Sequence, residues 1–115
     1  MLKVTESTIQ KAVAEYLEFL VLQGKILNFS SIPNLNYSQS WGMKMKNKKE
    51  GLRAGLPDLF VLHPKGCFFL ELKTLKGRLT EVQKAWLEKF KQANVPAYVA
   101  HGYEEAIKVI DQAIL

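Results

Sequence analysis

The chain has 115 residues, of which 48% are hydrophobic, so it has the size of one globular domain with a single buried core. Its 16 Lys and Arg against 11 Asp and Glu give a net charge of +5, which favours an anionic partner such as nucleic acid. A single cysteine, Cys67, excludes an internal disulfide, and neither a signal peptide nor a membrane-spanning run occurs. We expect one soluble, cytoplasmic domain over residues 1–115.

The first half of the chain is predicted to contain a helix, a strand and a long loop. Thr5 can cap an amphipathic helix, whose apolar residues recur with helical spacing until Gly24 ends it. Residues 25–32 are rich in strand formers and stop at Pro33, so we predict a strand there. Residues 34–55 show no apolar periodicity and are predicted to form a loop.

The next segment has the pattern of a β-hairpin. Residues 59–63 and 67–72 are strongly apolar, and the intervening residues 64–66, Pro-Lys-Gly, are typical of a turn. Two strands joined by so short a turn pair antiparallel.

A helix, a strand and a second helix complete the predicted chain. Thr80 and Gln83 form a capping box, which is typical of a helix start. A short strand over 97–100 and a helix over 103–115 follow, giving the order αβββαβα, a sheet with helices packed against it. The helix after Thr80 is expected to bury one face through Val82, Trp86, Phe90 and Ala93.

The hairpin carries two acids and a lysine that we expect to converge. Glu71 and Lys73 are two residues apart on one strand, so their side chains project from the same face. Asp58 starts the neighbouring strand and can approach Glu71 across the hairpin. Two converging carboxylates repel each other unless a cation lies between them, and oxygen ligands suit Mg²⁺ or Mn²⁺. The pattern therefore predicts a metal site with a lysine beside it.

A family resemblance enters through three short motifs. GLPDL at residues 55–59, ELK at 71–73, and GRLT at 77–80 followed by Gln83 and Trp86 closely resemble the virus-type replication-repair nuclease (VRR-NUC) domain. That family belongs to the PD-(D/E)XK nuclease superfamily. The resemblance implies a single α/β nuclease domain with a restriction-endonuclease-like αβββαβα core, in which helices flank a mixed central sheet.

The resemblance also implies roles for the converging residues. Asp58 and Glu71 look like the carboxylates that bind Mg²⁺, for which Mn²⁺ would substitute, and the backbone carbonyl of Leu72 looks like a further ligand. Lys73 resembles the residue that positions or deprotonates the attacking water. The sequence leaves open whether Lys73 is a base or a cation that stabilises developing charge.

Two further residues have both a family role and a purely structural alternative. Glu6 resembles an extra acid near the metal, but an acid also stabilises the start of a helix. Gln83 resembles a glutamine that supports the catalytic site, but its capping box already explains it. His63 and His101 lie at strand ends without ligand spacing, so we interpret both as structural or surface residues.

Basic and aromatic residues predict where DNA would bind. Lysines in the predicted loop can neutralise phosphates, while Tyr37 and Trp41 can stack on unpaired bases. The alternative for this charged set is a merely solvated loop. Lys76 and Arg78 closely follow the second hairpin strand and are well placed to touch a phosphate near the metal. The basic residues of the loop are Lys44, Lys46, Lys48, Lys49 and Arg53.

Together these patterns predict a magnesium-dependent endodeoxyribonuclease. The resemblance suggests structured or branched DNA as substrate, such as a Holliday junction or a flap, a homodimer, and a replication or repair protein as a further partner. Restriction-type or nicking cleavage of other DNA is an alternative with the same site. A DNA-binding module without catalysis, and an interaction protein without a nucleic-acid role, are the alternatives from other classes.

Overall fold

The computed structural model describes residues 3–33 and 41–115. Within those ranges the chain forms a mixed sheet with helices on both of its faces. The elements in chain order are α1 (Glu6–Leu22), β1 (Asn28–Ser31), α2 (Trp41–Lys49), β2 (Leu59–His63), β3 (Gly66–Lys73), α3 (Glu81–Gln92), β4 (Ala97–His101) and α4 (Tyr103–Ala113).

The sheet has the strand order β1-β2-β3-β4. β2 pairs antiparallel with both β1 and β3, whereas β4 lies parallel to β3 and is reached through α3. The predicted hairpin is confirmed, with His63 opposite Gly66 on either side of a two-residue turn. The expected α/β fold with a mixed central sheet flanked by helices is likewise confirmed.

One face of the sheet forms the hydrophobic core. Alternate residues of β3, namely Phe68, Leu70 and Leu72, are fully buried there because α1 and α4 pack over them. The predicted apolar stripe of the first helix is confirmed, since its spacing brings one residue per turn to this core. The helical residues buried in the core are Ile9, Val13, Leu17, Leu20, Ala106 and Ile110.

The opposite face of the sheet is covered by α3. Phe90 of α3 stacks on Phe69 of β3, with ring centroids 4.6 Å apart. The prediction that Val82, Trp86, Phe90 and Ala93 form a buried face is wrong in part, because Trp86 and Phe90 are only half-buried and Val82 and Ala93 are exposed. Val82 packs beside the backbone at Gly55 instead of on the sheet, and Ala93 lies beyond the last residue of the helix.

The prediction of a continuous loop over residues 34–55 is also wrong in part, because α2 occupies Trp41–Lys49. None of the side chains described in this helix is buried, so it lacks the apolar periodicity by which a helix is found in sequence. Its lysines and methionines are nevertheless good helix formers. Residues 34–40 of the predicted loop lie outside the described residues.

The first strand is shorter than predicted. It covers Asn28–Ser31, whereas Ile26, which was expected within it, is buried in the core ahead of the strand. In the part of the chain that the structure describes, no helix has the length and apolarity needed to cross a membrane.

Candidate active site

The β2–β3 hairpin brings Asp58 and Glu71 together. Leu59 pairs with Leu70 in the antiparallel register, which places the preceding residue, Asp58, opposite Glu71. The backbone N–H of Leu72 donates a hydrogen bond of 2.7 Å to Asp58 Oδ2. The position of the Asp58 carboxylate is therefore set by the backbone of the strand that carries Glu71.

The segment before Asp58 is fixed by α3. Trp86 donates its indole N–H to the carbonyl oxygen of Ala54 at 2.9 Å. Gly55 has φ +95°, and a Cβ there would lie 2.5 Å from Val82 Cγ1, so only glycine allows this approach. The GLPD segment thus enters β2 along a path that α3 determines.

Glu71 is a buried carboxyl group with an unusual proton affinity. Glu71 is only 2% exposed. Burial, the negative charge of Asp58 and a hydrogen bond to Asp58 together raise the pKa of Glu71 from 4.5 to about 9, although Lys73 opposes the shift. Burial and the neighbouring charge of Asp58 therefore favour the protonated form of Glu71 in the metal-free chain.

Lys73 lies between two acids at the carboxyl end of β3. Its Nζ is 3.9 Å from Glu71 Oε2 and 4.0 Å from Glu6 Oε1, and the residue is only 5% exposed. Glu6 is in the first turn of α1, which begins at Thr5 with a capping box. The start of α1 therefore reaches the same site as the hairpin, although Glu6 faces the lysine there.

Gln83 makes two contacts, one expected of a capping residue of α3 and one expected of a residue that supports the catalytic site. Its Oε1 accepts a hydrogen bond of 2.9 Å from the backbone N–H of Thr80, which completes the predicted capping box. Its Nε2 donates at 3.3 Å to Glu71 Oε2. One side chain thus both caps the first turn of α3 and orients the buried carboxyl group of Glu71.

The donor set fits a hard divalent cation. Asp58 and Glu71 offer carboxylate oxygens, and the Leu72 carbonyl is the further ligand predicted between them; Mg²⁺ and Mn²⁺ favour such oxygen donors. A divalent cation would also offset the repulsion between the carboxylates of Asp58 and Glu71. Over residues 3–33 and 41–115, no group of three His, Cys, Asp or Glu side chains forms a metal cluster. The ligand roles of Asp58, Glu71, Leu72 and Glu6 all stay predictions.

The described basic residues predicted to contact DNA lie on α2, at the exposed Arg53 between α2 and β2, and in the connection from β3 to α3. Lys44, Lys46, Lys48 and Lys49 are all on α2. The Nζ of Lys46 is 4.0 Å from Oε1 of Glu50, one helical turn later. Lys76 and Arg78 are exposed in the connection from β3 to α3. Tyr37 lies outside the described residues, and for Trp41 the structure describes only the backbone, at the start of α2.

Three residues near the site were not predicted to matter for it. His101, interpreted as structural or surface, has its Nε2 3.1 Å from the Gly77 carbonyl oxygen, so it holds the connection that follows β3. Leu75 and Tyr103 are exposed beside it. The only sequence signal for this pair is an apolar residue within a polar turn and an aromatic residue directly after a turn glycine.

Comparison with known proteins agrees with the fold. One solved structure, described as "VRR_NUC domain protein", has a TM-score of 0.75 and 22% identity over 97% of this chain and 89% of its own. A second, described as "VRR_NUC domain", has a TM-score of 0.63 and 24% identity over 94% of this chain and 97% of its own.

The family assignment rests on the sequence match. No curated protein matches the chain. The family model of the VRR-NUC domain matches residues 4–104, which is most of the chain. The predicted resemblance is confirmed: this chain belongs to the VRR-NUC domain family, and membership implies a nuclease-type function in DNA processing.

Proposed function

We propose that the chain is a metal-dependent endonuclease that hydrolyses phosphodiester bonds in structured or branched DNA, such as a four-way junction or a flap. The observation that carries this proposal is the buried group at the end of the hairpin. Asp58 lies opposite Glu71, and Lys73 lies 3.9 Å from that same glutamate. Glu71 and Lys73 are buried and Asp58 is half-buried. Burying such groups costs folding free energy, so their presence here supports a chemical role.

Asp58 and Glu71 would hold Mg²⁺, with Mn²⁺ as a substitute, and the Leu72 carbonyl would complete the protein ligands. Such an ion supplies a Lewis acid for the phosphoryl oxygen and lowers the pKa of a bound water. Glu71 must lose its proton to become a ligand, because its pKa is about 9 in the metal-free chain. The Leu72 N–H holds one oxygen of Asp58 and leaves the other available to the ion.

Lys73 would act beside the ion as a fixed cation. Lys73 is only 5% exposed, and its Nζ lies beside the carboxyl groups of Glu6 and Glu71, so both would hold it in place once Glu71 has lost its proton to the metal site. From there it can orient the attacking water and stabilise the negative charge that builds on the phosphate oxygens. Gln83 would keep the Glu71 carboxylate aimed at the ion through its 3.3 Å hydrogen bond.

DNA would be held by the basic residues around this site. Lys76 and Arg78 follow β3 and are exposed within a few residues of Lys73. The lysines of α2 and Arg53 precede Asp58 along the chain and would neutralise phosphates further along the duplex. Family membership supports the further proposals of a homodimer and of a replication or repair protein as partner.

The decisive experiment is cleavage of labelled four-way junction, flap and linear duplex DNA with Mg²⁺, Mn²⁺ or EDTA. We expect cutting with either ion and none with EDTA, a preference for the branched substrates, and loss of cutting in Lys73→Ala. Equal cleavage of linear duplex would favour a restriction-type or nicking enzyme. Tight binding without cutting under every metal would instead favour a DNA-binding module.

A further inference from the structure

A groove of about 670 Å³ lies beside the proposed catalytic group and has no part in holding the metal. Its volume is within the usual range of ligand sites, about 300–1,000 Å³. We call it the Leu75 groove. Its apolar and aromatic walls are Val4, Leu75, His101 and Tyr103, with Lys76 and Glu104 as its charged members.

The Leu75 groove is continuous with the catalytic strand. Leu75 is two residues beyond Lys73, and the N–H of Gly102, in the groove floor, donates a hydrogen bond of 2.8 Å to the Lys73 carbonyl oxygen. On the other side, Val4 is two residues before Glu6, whose carboxylate pairs with Lys73. The Leu75 groove therefore adjoins the backbone that carries Lys73.

Large apolar side chains are exposed around the groove without covering the core. Leu75 is 81% exposed, Val4 is 65% exposed and Tyr103 is 41% exposed. Single exposed apolar residues are common, but several around one concavity indicate a binding surface. Such a surface directly beside a site for a polyanion needs an occupant that is itself partly apolar.

The groove is held in shape by the backbone around it. Gly102 has φ +89°, and a Cβ there would lie 3.0 Å from Leu75 Cδ2, so Leu75 packs directly over this glycine. His101 contacts the Gly77 carbonyl oxygen and so ties the connection that carries Leu75 to β4. The walls are therefore positioned before any ligand binds.

We infer that the Leu75 groove binds the base of an unpaired nucleotide adjacent to the phosphate that is cut, an inference that rests on the proposed nuclease function. A paired duplex exposes phosphates and sugars and keeps its bases stacked inside, so an apolar groove offers it nothing. An unpaired base can stack on Tyr103 and pack against Leu75, as bases do on aromatic platforms. Such nucleotides occur in the single strand of a flap.

The charges of the groove agree with a base as occupant. Lys76 is exposed and can pair with the phosphate that flanks the base. Glu104 repels a phosphate from the groove itself but can accept a hydrogen bond from an amino group of the base. The backbone is thus directed to the lysine, and the base to the apolar walls.

The test is binding in EDTA, which prevents cleavage, of a duplex with one bulged 2-aminopurine nucleotide. A second duplex with an abasic residue at the bulge is the matched probe. We expect the wild type to quench the 2-aminopurine fluorescence and to bind the first probe about 5- to 150-fold more tightly than the second, as stacking on an aromatic ring predicts. Tyr103→Ala should remove this difference, whereas Tyr103→Phe should keep it.

Tyr98→Ala is the control, because Tyr98 is 37% exposed on β4 and lines a different cavity. Leu75→Ser supplies a second variant whose exposed position spares the fold, and we expect it to weaken the base preference. Equal binding of both probes by the wild type would overturn the inference. It would also be overturned if Tyr103→Ala turned a dimer into a monomer while the base preference persisted, since a second copy of the chain would then occupy the groove.

Failure of the groove and failure of the nuclease give different results. Metal-dependent cleavage of branched DNA without any base preference would reject the groove and leave the proposed function standing. A base preference that depends on Tyr103, in a protein that never cuts DNA, would support the groove as a binding site and reject the nuclease.

Discussion

The two faces of β3 differ in what they bury and therefore in what they contribute. Leu70 and Leu72 face the core under α1 and α4, where apolar burial stabilises the fold. Glu71 and Lys73 alternate with them, are nearly as buried, and face the side that α3 covers. Burial of charged groups opposes folding, so the second face points to a chemical function that the first face does not have.

Adjacent residues of one strand give the strongest test of this difference. Leu70→Ala should lower the free energy of unfolding by about 2–5 kcal/mol, because it leaves a cavity in the core. Glu71→Gln should abolish cleavage, because the site loses a ligand carboxylate, while the protein stays folded. Urea unfolding and cleavage of branched DNA measure the two effects. Cleavage at the wild-type rate by Glu71→Gln would reject the assigned site.

The pH dependence of stability offers a second test of the charged face. The raised pKa of Glu71 means that the folded state keeps a proton that the unfolded state has already released. This contribution to stability is complete below about pH 4.5 and is lost as the pH rises through about 9. Without metal, the wild type should therefore lose more stability over this range than Glu71→Gln does.

Urea unfolding in EDTA at several pH values measures that difference. Asp58→Asn is a useful companion, because it removes the neighbouring negative charge and should lower the pKa of Glu71. Identical pH profiles for the wild type and Glu71→Gln would show that Glu71 titrates normally in the folded protein.

A pair of glycines tests how α3 positions the charged face. Gly55→Ala places a Cβ 2.5 Å from Val82 Cγ1, whereas at Gly24, also with positive φ, a Cβ meets nothing within 4 Å. Gly24→Ala should cost about 1 kcal/mol of stability from backbone strain alone. Gly55→Ala should cost more and also slow cleavage, because the path into Asp58 shifts. Equal stability and equal activity in the two variants would contradict the role assigned to α3.

The lysines of α2 lie on neither face of β3, and replacing them should have the smallest effect on DNA cleavage and stability. Replacing Lys46, Lys48 and Lys49 with alanine should weaken DNA binding. The slope of log K against log salt should become shallower by about 0.9 for each phosphate that the variant no longer neutralises. A matched control replaces Lys25, Lys65 and Lys108, which are exposed elsewhere. Equal weakening in both triple variants would show that only net charge matters.

Most of the fold could be predicted because its signals are local. The stripe of α1, the helix caps at Thr5 and Thr80 and the turn of the hairpin each involve residues close in the chain. The wrong predictions concern features without a local signal. α2 lacks a buried face and so has no periodicity, and Val82 is exposed because its partner is the distant Gly55.

The candidate site likewise has some contacts that local sequence patterns predict and others that they do not. The two-residue period of a strand and the register of an antiparallel hairpin predict that Asp58, Glu71 and Lys73 converge, and the structure places them together. The contact of Gln83 with Glu71 was expected only through the family resemblance, since nothing in the spacing of these residues requires it. The contact between His101 and Gly77 had no sequence signal.

The sequence by itself therefore determined the order of most elements, the hairpin and the group of acids and lysine that it carries, because short-range periodicity and turn chemistry encode them. Only the tertiary structure decided that Glu6 meets Lys73, that α3 constrains the path into Asp58, and that Leu75 and Tyr103 enclose a groove. These contacts join segments far apart in the chain. They form only when α1, α3 and α4 pack on the sheet.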